Sequence, residues 1–148
     1  MAVRVQVTMD CADPARLAAF WAEALDYREP VPPNGFGSCL EWVQAQGWPE
    51  EEWNSASAIE DPDGVGPRMY FQRVPEPKAV KNRVHLDVNV SGGSRVPFEE
   101  RRRRIDAKAE QLIEQGATVL RVHERPEREP DYYGIVMQDP EGNEFCLQ

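Results

Sequence analysis

The sequence predicts an α+β fold built from two tandem βαβββ modules, and three observations predict it. Two stretches alternate apolar and polar residues in the same sense, Val3 to Met9 and Asn82 to Val90 (NRVHLDVNV). That is the pattern of a half-buried strand with one polar face. Laying Gln6 on His85, 79 positions along, brings Thr8 onto Asp87. The turn Asp61-Pro62-Asp63-Gly64 recurs as Asp139-Pro140-Glu141-Gly142 at an offset of 78. Each alternating stretch is also followed by one amphipathic helix. Strands, turns and helices repeating in register indicate an internal duplication.

The first strand is expected from Val3 to Met9. Asp13 followed by Pro14 is a helix start, an N-cap acceptor with proline at the first helical position. Leu17, Phe20, Trp21, Ala24 and Leu25 then form one apolar stripe for packing on a sheet. Tyr27 to Val31 suggests a short strand stopped by Pro32-Pro33-Asn34-Gly35. Cys39 to Gln44 reads as another strand, with Leu40 and Trp42 on one face. Gly47 to Asn54 is acidic, carries Trp48 and Trp53, and has no counterpart in the second half. It reads as an exposed helical turn pinned by its tryptophans, or alternatively as a lid over a ligand. Met69 to Val74 completes the first half, with Tyr70 and Gln72 sharing a face.

After the His85 strand, Ser91-Gly92-Gly93-Ser94 makes a turn. A helix is expected from about Pro97 to Gln115, with Phe98, Ile105, Ala109, Leu112 and Ile113 inward and Gly116 as its stop. Arg101 to Arg104 point in four directions among Glu99, Glu100 and Asp106, which makes them a solvated face and not a phosphate site. Strands are expected over Ala117 to His123, Tyr133 to Gln138 and Asn143 to Gln148.

Length suits one domain, residues 1–148, with modules over 3–74 and 84–148 joined by the stiff stretch Val74-Pro75-Glu76-Pro77-Lys78. Hydrophobic content of 41% and charged content of 29% exclude a disordered chain. There is no apolar run of membrane-spanning length and no signal-peptide pattern, so the expected address is cytoplasmic. Three cysteines, Cys11, Cys39 and Cys146, suit a reduced compartment. A formal charge of −9 disfavours nucleic acid and anionic membrane as partners.

The paired modules, the helix LAAFWAEAL, the strand RVHLDV and the terminal DPEGNEFCL resemble the vicinal oxygen chelate superfamily. The likeness is greatest to its glyoxalase-like branch, alongside bleomycin-resistance-type binding proteins. It spans all but about Trp48 to Glu60. The resemblance implies a curved mixed sheet in which two half-cups enclose one cavity for a small organic ligand, commonly in a homodimer. It also implies metal ligands on the first and last strands of each module. Those positions carry Gln6, Gln72 (the best match, across the extra Val65-Gly66-Pro67-Arg68), His85 and Cys146. Cys146 stands where glutamate is usual. Two amides and no carboxylate, unless Asp87 turns in, make a weak set. The protein is therefore expected to hold well under one equivalent of metal, with zinc the natural ion if any binds.

The missing glutamate removes the base used in glyoxalase I-type isomerisation, so lactoylglutathione lyase activity is not expected. Two readings remain. One is a lyase or isomerase of unknown substrate, with His85 as acid–base or principal metal ligand and Asp87, on the same strand face, orienting it. Gln6, Gln72 and Cys146 then contact substrate in the same cavity, with Trp42 and Tyr133 as apolar wall. The alternative is a metal-free protein that sequesters a cationic aromatic compound through its acidic balance and Trp42, Trp48 and Trp53. His85 activating a Cys146 thiolate is a further possibility, set against Cys146 as a small buried hydrophobe.

Overall fold

A computed structural model covering residues 1–148 gives the chain two halves, Met1–Pro77 and Lys78–Gln148, each with its own sheet. In the first half, β1 (Val7–Cys11) leads into α1 (Pro14–Leu25). Asp13 Oδ1 accepts from the Arg16 amide at 3.2 Å and caps the helix, while Asp26 ends it in a left-handed conformation. Leu17, Phe20, Trp21 and Ala24 are buried as the stripe predicts, and Phe20 and Trp21 meet edge to face at 5.7 Å. They pack on β2 (Ala56–Ile59) and β3 (Met69–Arg73). The sheet order is β1-β3-β2, with β1 parallel and β2 antiparallel to β3.

Three expectations for this half need correction. The first strand begins at Val7, whose amide makes the first ladder bond, 3.0 Å to Arg68 O. No strand lies beside Val3 and Val5, and both are exposed. Tyr27 to Val31 contributes one antiparallel bridge, Arg28 to Glu60. Cys39 to Gln44 is helical: α2 spans Cys39–Ala45. Ser38 Oγ accepts from the Glu41 amide at 3.1 Å, and Glu41 reaches back to the Gly37 amide at 2.9 Å. Ser38-x-x-Glu41 is thus a capping-box pattern, a local signal that outweighs the apparent alternation of Leu40 and Trp42. The acidic stretch forms a 3₁₀ turn at Glu50–Glu52. The Trp53 indole donates to Trp48 O at 2.9 Å, and Asn54 donates to Asp13 at 2.8 Å, pinning the turn to the start of α1.

The second half realises βαβββ. It comprises β4 (Asp87–Val88), α3 (Phe98–Glu114), β5 (Thr118–Arg125), β6 (Tyr132–Gln138) and β7 (Glu144–Leu147), in sheet order β4-β7-β6-β5. β4 is shorter than its alternation suggests. Bonds from Cys146 N to Leu86 O (3.0 Å) and Val90 N to Gln148 O (2.8 Å) continue its ladder on both sides. Ile105, Ala109 and Leu112 of α3 are buried over β6 and β7, whereas Ile113 is exposed. The arginine run is not wholly a solvated face. Arg101 is 8% exposed, donates to Val96 O at 2.9 Å and pairs with Asp131 at 2.5 Å. Arg102 pairs with Glu124, and Arg103 and Arg104 with Glu100. No helix is long and apolar enough to cross a membrane.

Duplication shows in the bonding. Asp61 accepts from the amides of Asp63, Val65 and Gly66, and Asp139 likewise accepts from those of Glu141 and Asn143. In both halves the first strand runs parallel to the last. Met69 and Phe71 are buried as Phe145 and Leu147 are. Val7, Thr8 and Met9 lie opposite Met69, Tyr70 and Phe71, while Asp87 and Val88 lie opposite Cys146 and Leu147. Matching the buried pairs sets Thr8 on Asp87, and so Gln6 on His85. The same register makes Tyr70, not Gln72, the counterpart of Cys146. Gln72 corresponds to Gln148.

Candidate functional site

Strand parity divides the second sheet. Val88, Tyr133, Ile135, Met137, Phe145 and Leu147 are buried, on the face that α3 covers. The alternate residues project from the other face. There Asp87 stands directly opposite Cys146, and Val136 lies beyond it on β6. His85 Nε2 approaches Asp87 Oδ1 at 3.3 Å. The donor atoms of His85, Asp87 and Cys146 all lie within 4.8 Å of one another.

Partial burial pushes the Cys146 thiol above its ordinary pKa, and the charge and hydrogen bond of Asp87 push it further, against Lys81. The thiol is therefore protonated at neutral pH, which disfavours an activated nucleophile. One ladder step away, Tyr132 Oη donates to Gln148 Oε1 at 3.3 Å, and Gln148 Nε2 donates to Asn89 Oδ1 at 3.0 Å. The Arg125 guanidinium covers the Tyr132 ring at 5.2 Å. The phenol sits over Gly134, where a Cβ would come within 2.3 Å of the hydroxyl. Burial raises the Tyr132 pKa, with Cys146 and Asp87 adding to it.

Tyr132 is a residue that the sequence reading missed, and Tyr133 is corrected. Tyr133 faces α3, donating to Asp106 Oδ1 at 2.5 Å and meeting Phe98 edge to face. It cannot form a wall beside Cys146. Parity from the Val136–Cys146 pair carried the signal, but only once the β6–β7 register is known.

In the first half, Gln6 Oε1 accepts from Arg68 Nη1 at 2.7 Å, and the Arg68 guanidinium lies 5.7 Å from the Tyr70 ring centroid. Gln72 Nε2 donates to Asp10 Oδ1 at 3.4 Å. Trp42 belongs to α2, half-buried, and not to a strand face. His85, Asp87 and Cys146 are thus the candidates brought together, while Gln6 and Gln72 have separate partners. Imidazole, carboxylate and thiol at these separations fit a borderline-soft divalent ion with one coordination position left open.

Residues 6–148 match the family model described as a glyoxalase-like domain. The chain belongs to the glyoxalase-like domain family. Solved structures with the same fold cover nearly all of this glyoxalase-like chain. A fosfomycin resistance protein, FosX, from Listeria monocytogenes is 12% identical, with a TM-score of 0.63 over 100% of this chain and 92% of its own. That protein is a single-residue mutant complexed with Mn(II) and 1S,2S-dihydroxypropylphosphonic acid. A glyoxalase/bleomycin resistance protein/dioxygenase family enzyme from Burkholderia phytofirmans PsJN is 15% identical, with a TM-score of 0.58 over 96% and 94%. TioX from Micromonospora sp. ML1 is 13% identical, with a TM-score of 0.53 over 99% and 97%. Comparison with curated proteins found no match.

Proposed function

We propose that the polar face bearing His85, Asp87 and Cys146 is the active site of a lyase or isomerase acting on a small organic substrate. The observation that carries this reading is the 3.3 Å contact between His85 Nε2 and Asp87 Oδ1 beside Cys146. Asp87 fixes the orientation of the imidazole, as carboxylates do for catalytic histidines. His85 is then the principal group. Free, it takes a proton from substrate carbon or oxygen and returns it; ligated, it anchors an ion through one nitrogen. Tyr132, held by Gln148 and Arg125, supplies a hydroxyl to the same face. A divalent ion held by His85, Asp87 and Cys146 would supply Lewis-acid polarisation of a substrate oxygen. Lactoylglutathione lyase is not the activity proposed, because the usual last-strand carboxylate is Cys146 here. The assembly proposed is a cytoplasmic homodimer.

The test is solvent-deuterium exchange, read by NMR, across small carbonyl compounds that carry an α-proton. Exchange in the wild type that falls about 100-fold or more in His85→Gln and less in Asp87→Asn is expected. Exchange that is unchanged in His85→Gln overturns the reading.

A second reading, sequestration of a cationic aromatic compound, is supported by Trp48, 45% exposed beside Glu50, Glu51 and Glu52. Quenching of tryptophan fluorescence by a cationic aromatic dye, abolished in Trp48→Ala, is its expected sign. Equal quenching in that variant overturns it.

A further inference from the structure

We propose that Arg121, His123 and Arg125 of β5 hold the anionic group of the substrate, which is a small organic anion bearing a carboxylate or a phosphoryl group. The inference rests on the reading of the polar face as an active site and adds the substrate class to it. Strand register puts the three residues on that face. Arg121 stands opposite Val136, His123 opposite Gly134 and Arg125 opposite Tyr132, and residues directly opposed across a ladder share a face. Val136 in turn stands opposite Cys146, and Cys146 opposite Asp87. One row of side chains thus crosses all four strands, from Arg121 through Val136 and Cys146 to Asp87. With strands about 4.8 Å apart, the backbone of Arg121 lies about 10 Å from that of Cys146. A long arginine side chain and a small molecule fill that gap together.

The state of the charges sets this row apart. Each arginine of the α3 run has a carboxylate: Arg101 has Asp131, Arg102 has Glu124, and Arg103 and Arg104 share Glu100. Arg121, His123 and Arg125 enter no ion pair, in a chain of formal charge −9. Glu124, the one carboxylate of β5, faces α3 and is taken by Arg102 at 2.9 Å. Arg125 is nevertheless positioned, its guanidinium 5.2 Å from the Tyr132 ring centroid and the phenol bonded to Gln148 at 3.3 Å. Stacking fixes the plane of a guanidinium and leaves its N–H groups free for an oxyanion. Between the row and Cys146 the floor is low, because position 134 is glycine and a Cβ there would meet the Tyr132 hydroxyl at 2.3 Å. Charge on an edge strand also deters pairing with other sheets. That role needs no preferred face, yet all three basic residues share the face of Cys146, while Val119, Val122 and Glu124 oppose the buried Met137, Ile135 and Tyr133.

The experiment titrates nitrogen-15-labelled full-length protein with pyruvate, 2-phosphoglycolate and inorganic phosphate, and with ethyl pyruvate as the neutral counterpart. Shifts of the arginine Nε–H groups and of the β5 amides are followed by NMR. At least one anion is expected to saturate the Arg121 and Arg125 signals, about tenfold or more tightly than the ester. Tighter binding of pyruvate assigns a carboxylate, and tighter binding of either phosphate probe a phosphoryl group. Arg121→Gln and Arg125→Gln should each weaken binding about tenfold, whereas Arg103→Gln, on the exposed side of α3, should leave it unchanged. Equal weakening in Arg103→Gln shows only a response to net charge and overturns the proposal. So does wild-type protein whose Arg121 and Arg125 signals respond to no anion, or to the ester as strongly, and that measurement needs no variant to fold. The titration involves no turnover, so it can succeed where proton exchange at His85 fails. Exchange that is as fast for neutral as for anionic carbonyl compounds keeps the active site and overturns the substrate class.

Discussion

Asp87 lies directly across the parallel β4–β7 ladder from Cys146. Because the ladder fixes this pairing, the environment of the thiol is a property of the backbone and not of one rotamer. Cys146 is half-buried, whereas Cys11 is 4% exposed and lies in the core of the first half. A small thiol reagent should therefore modify Cys146 in the folded protein and reach Cys11 only on unfolding. Peptide mass spectrometry reads the sites. Bound zinc or a ligand occupying the polar face should slow modification of Cys146, and an unchanged rate in their presence would place the thiol outside the site.

Adjacent tyrosines on β6 should behave differently. Tyr133, 6% exposed, is pushed up to about 12 by burial and by the Asp106 carboxylate. A raised acid pKa means that the folded state keeps a proton which the unfolded state has released. This contribution to stability is fully present below about pH 10, the unfolded value, and is lost as pH rises through about 12. Tyr133→Phe should cost about 1 kcal/mol at neutral pH and flatten that alkaline loss in denaturant titrations. Tyr132→Phe should leave stability within about 0.5 kcal/mol and weaken whatever binds the polar face.

Asp13 both caps α1 and anchors the acidic turn through Asn54. Asp13→Ala should cost about 1 kcal/mol, and Asn54→Ala a similar amount, with sub-additive effects in the double variant because the two share a bond. The Asn54 hydrogen bond, followed by the Arg16 amide and charge, holds the Asp13 carboxyl below its usual value despite some desolvation. Its contribution is thus present above the ordinary aspartate range and lost as pH falls through the lowered value. Acid unfolding curves of wild type and Asp13→Ala should converge at low pH.

On the opposite side of the second sheet, Arg101 joins α3 to the loop before β6 through Asp131. The Arg101 side chain is 10% exposed and that of Asp131 32%, so the pair is screened on one side only. Arg101→Ala leaves Asp131 and the Val96 carbonyl without this donor, and should cost about 2 kcal/mol. Hydrogen exchange should quicken in residues 124–131 ahead of the rest of the half. Exchange that rises uniformly would show that the pair does not hold this loop.

Much of the architecture was legible because it is encoded by local rules. The stripe from Leu17 to Leu25, the Asp13-Pro14 start and the recurring Asp-Pro turns each follow from spacing and side-chain chemistry, and they located the duplication. The helix at Cys39–Ala45 was equally local, since Ser38 and Glu41 form its cap, but two apolar residues in alternation masked it. What the sequence by itself determined was the βαβββ repeat, the alignment of Gln6 with His85, and the shared face of His85 and Asp87. Tertiary structure alone decided that Asp87 meets Cys146, that Tyr132 and not Tyr133 shares their face, and that Tyr70 takes the place assigned to Gln72. Each of these depends on register between strands distant in the chain. A one-residue slip in register reverses every side chain, and no pattern within a single strand fixes where its neighbour begins.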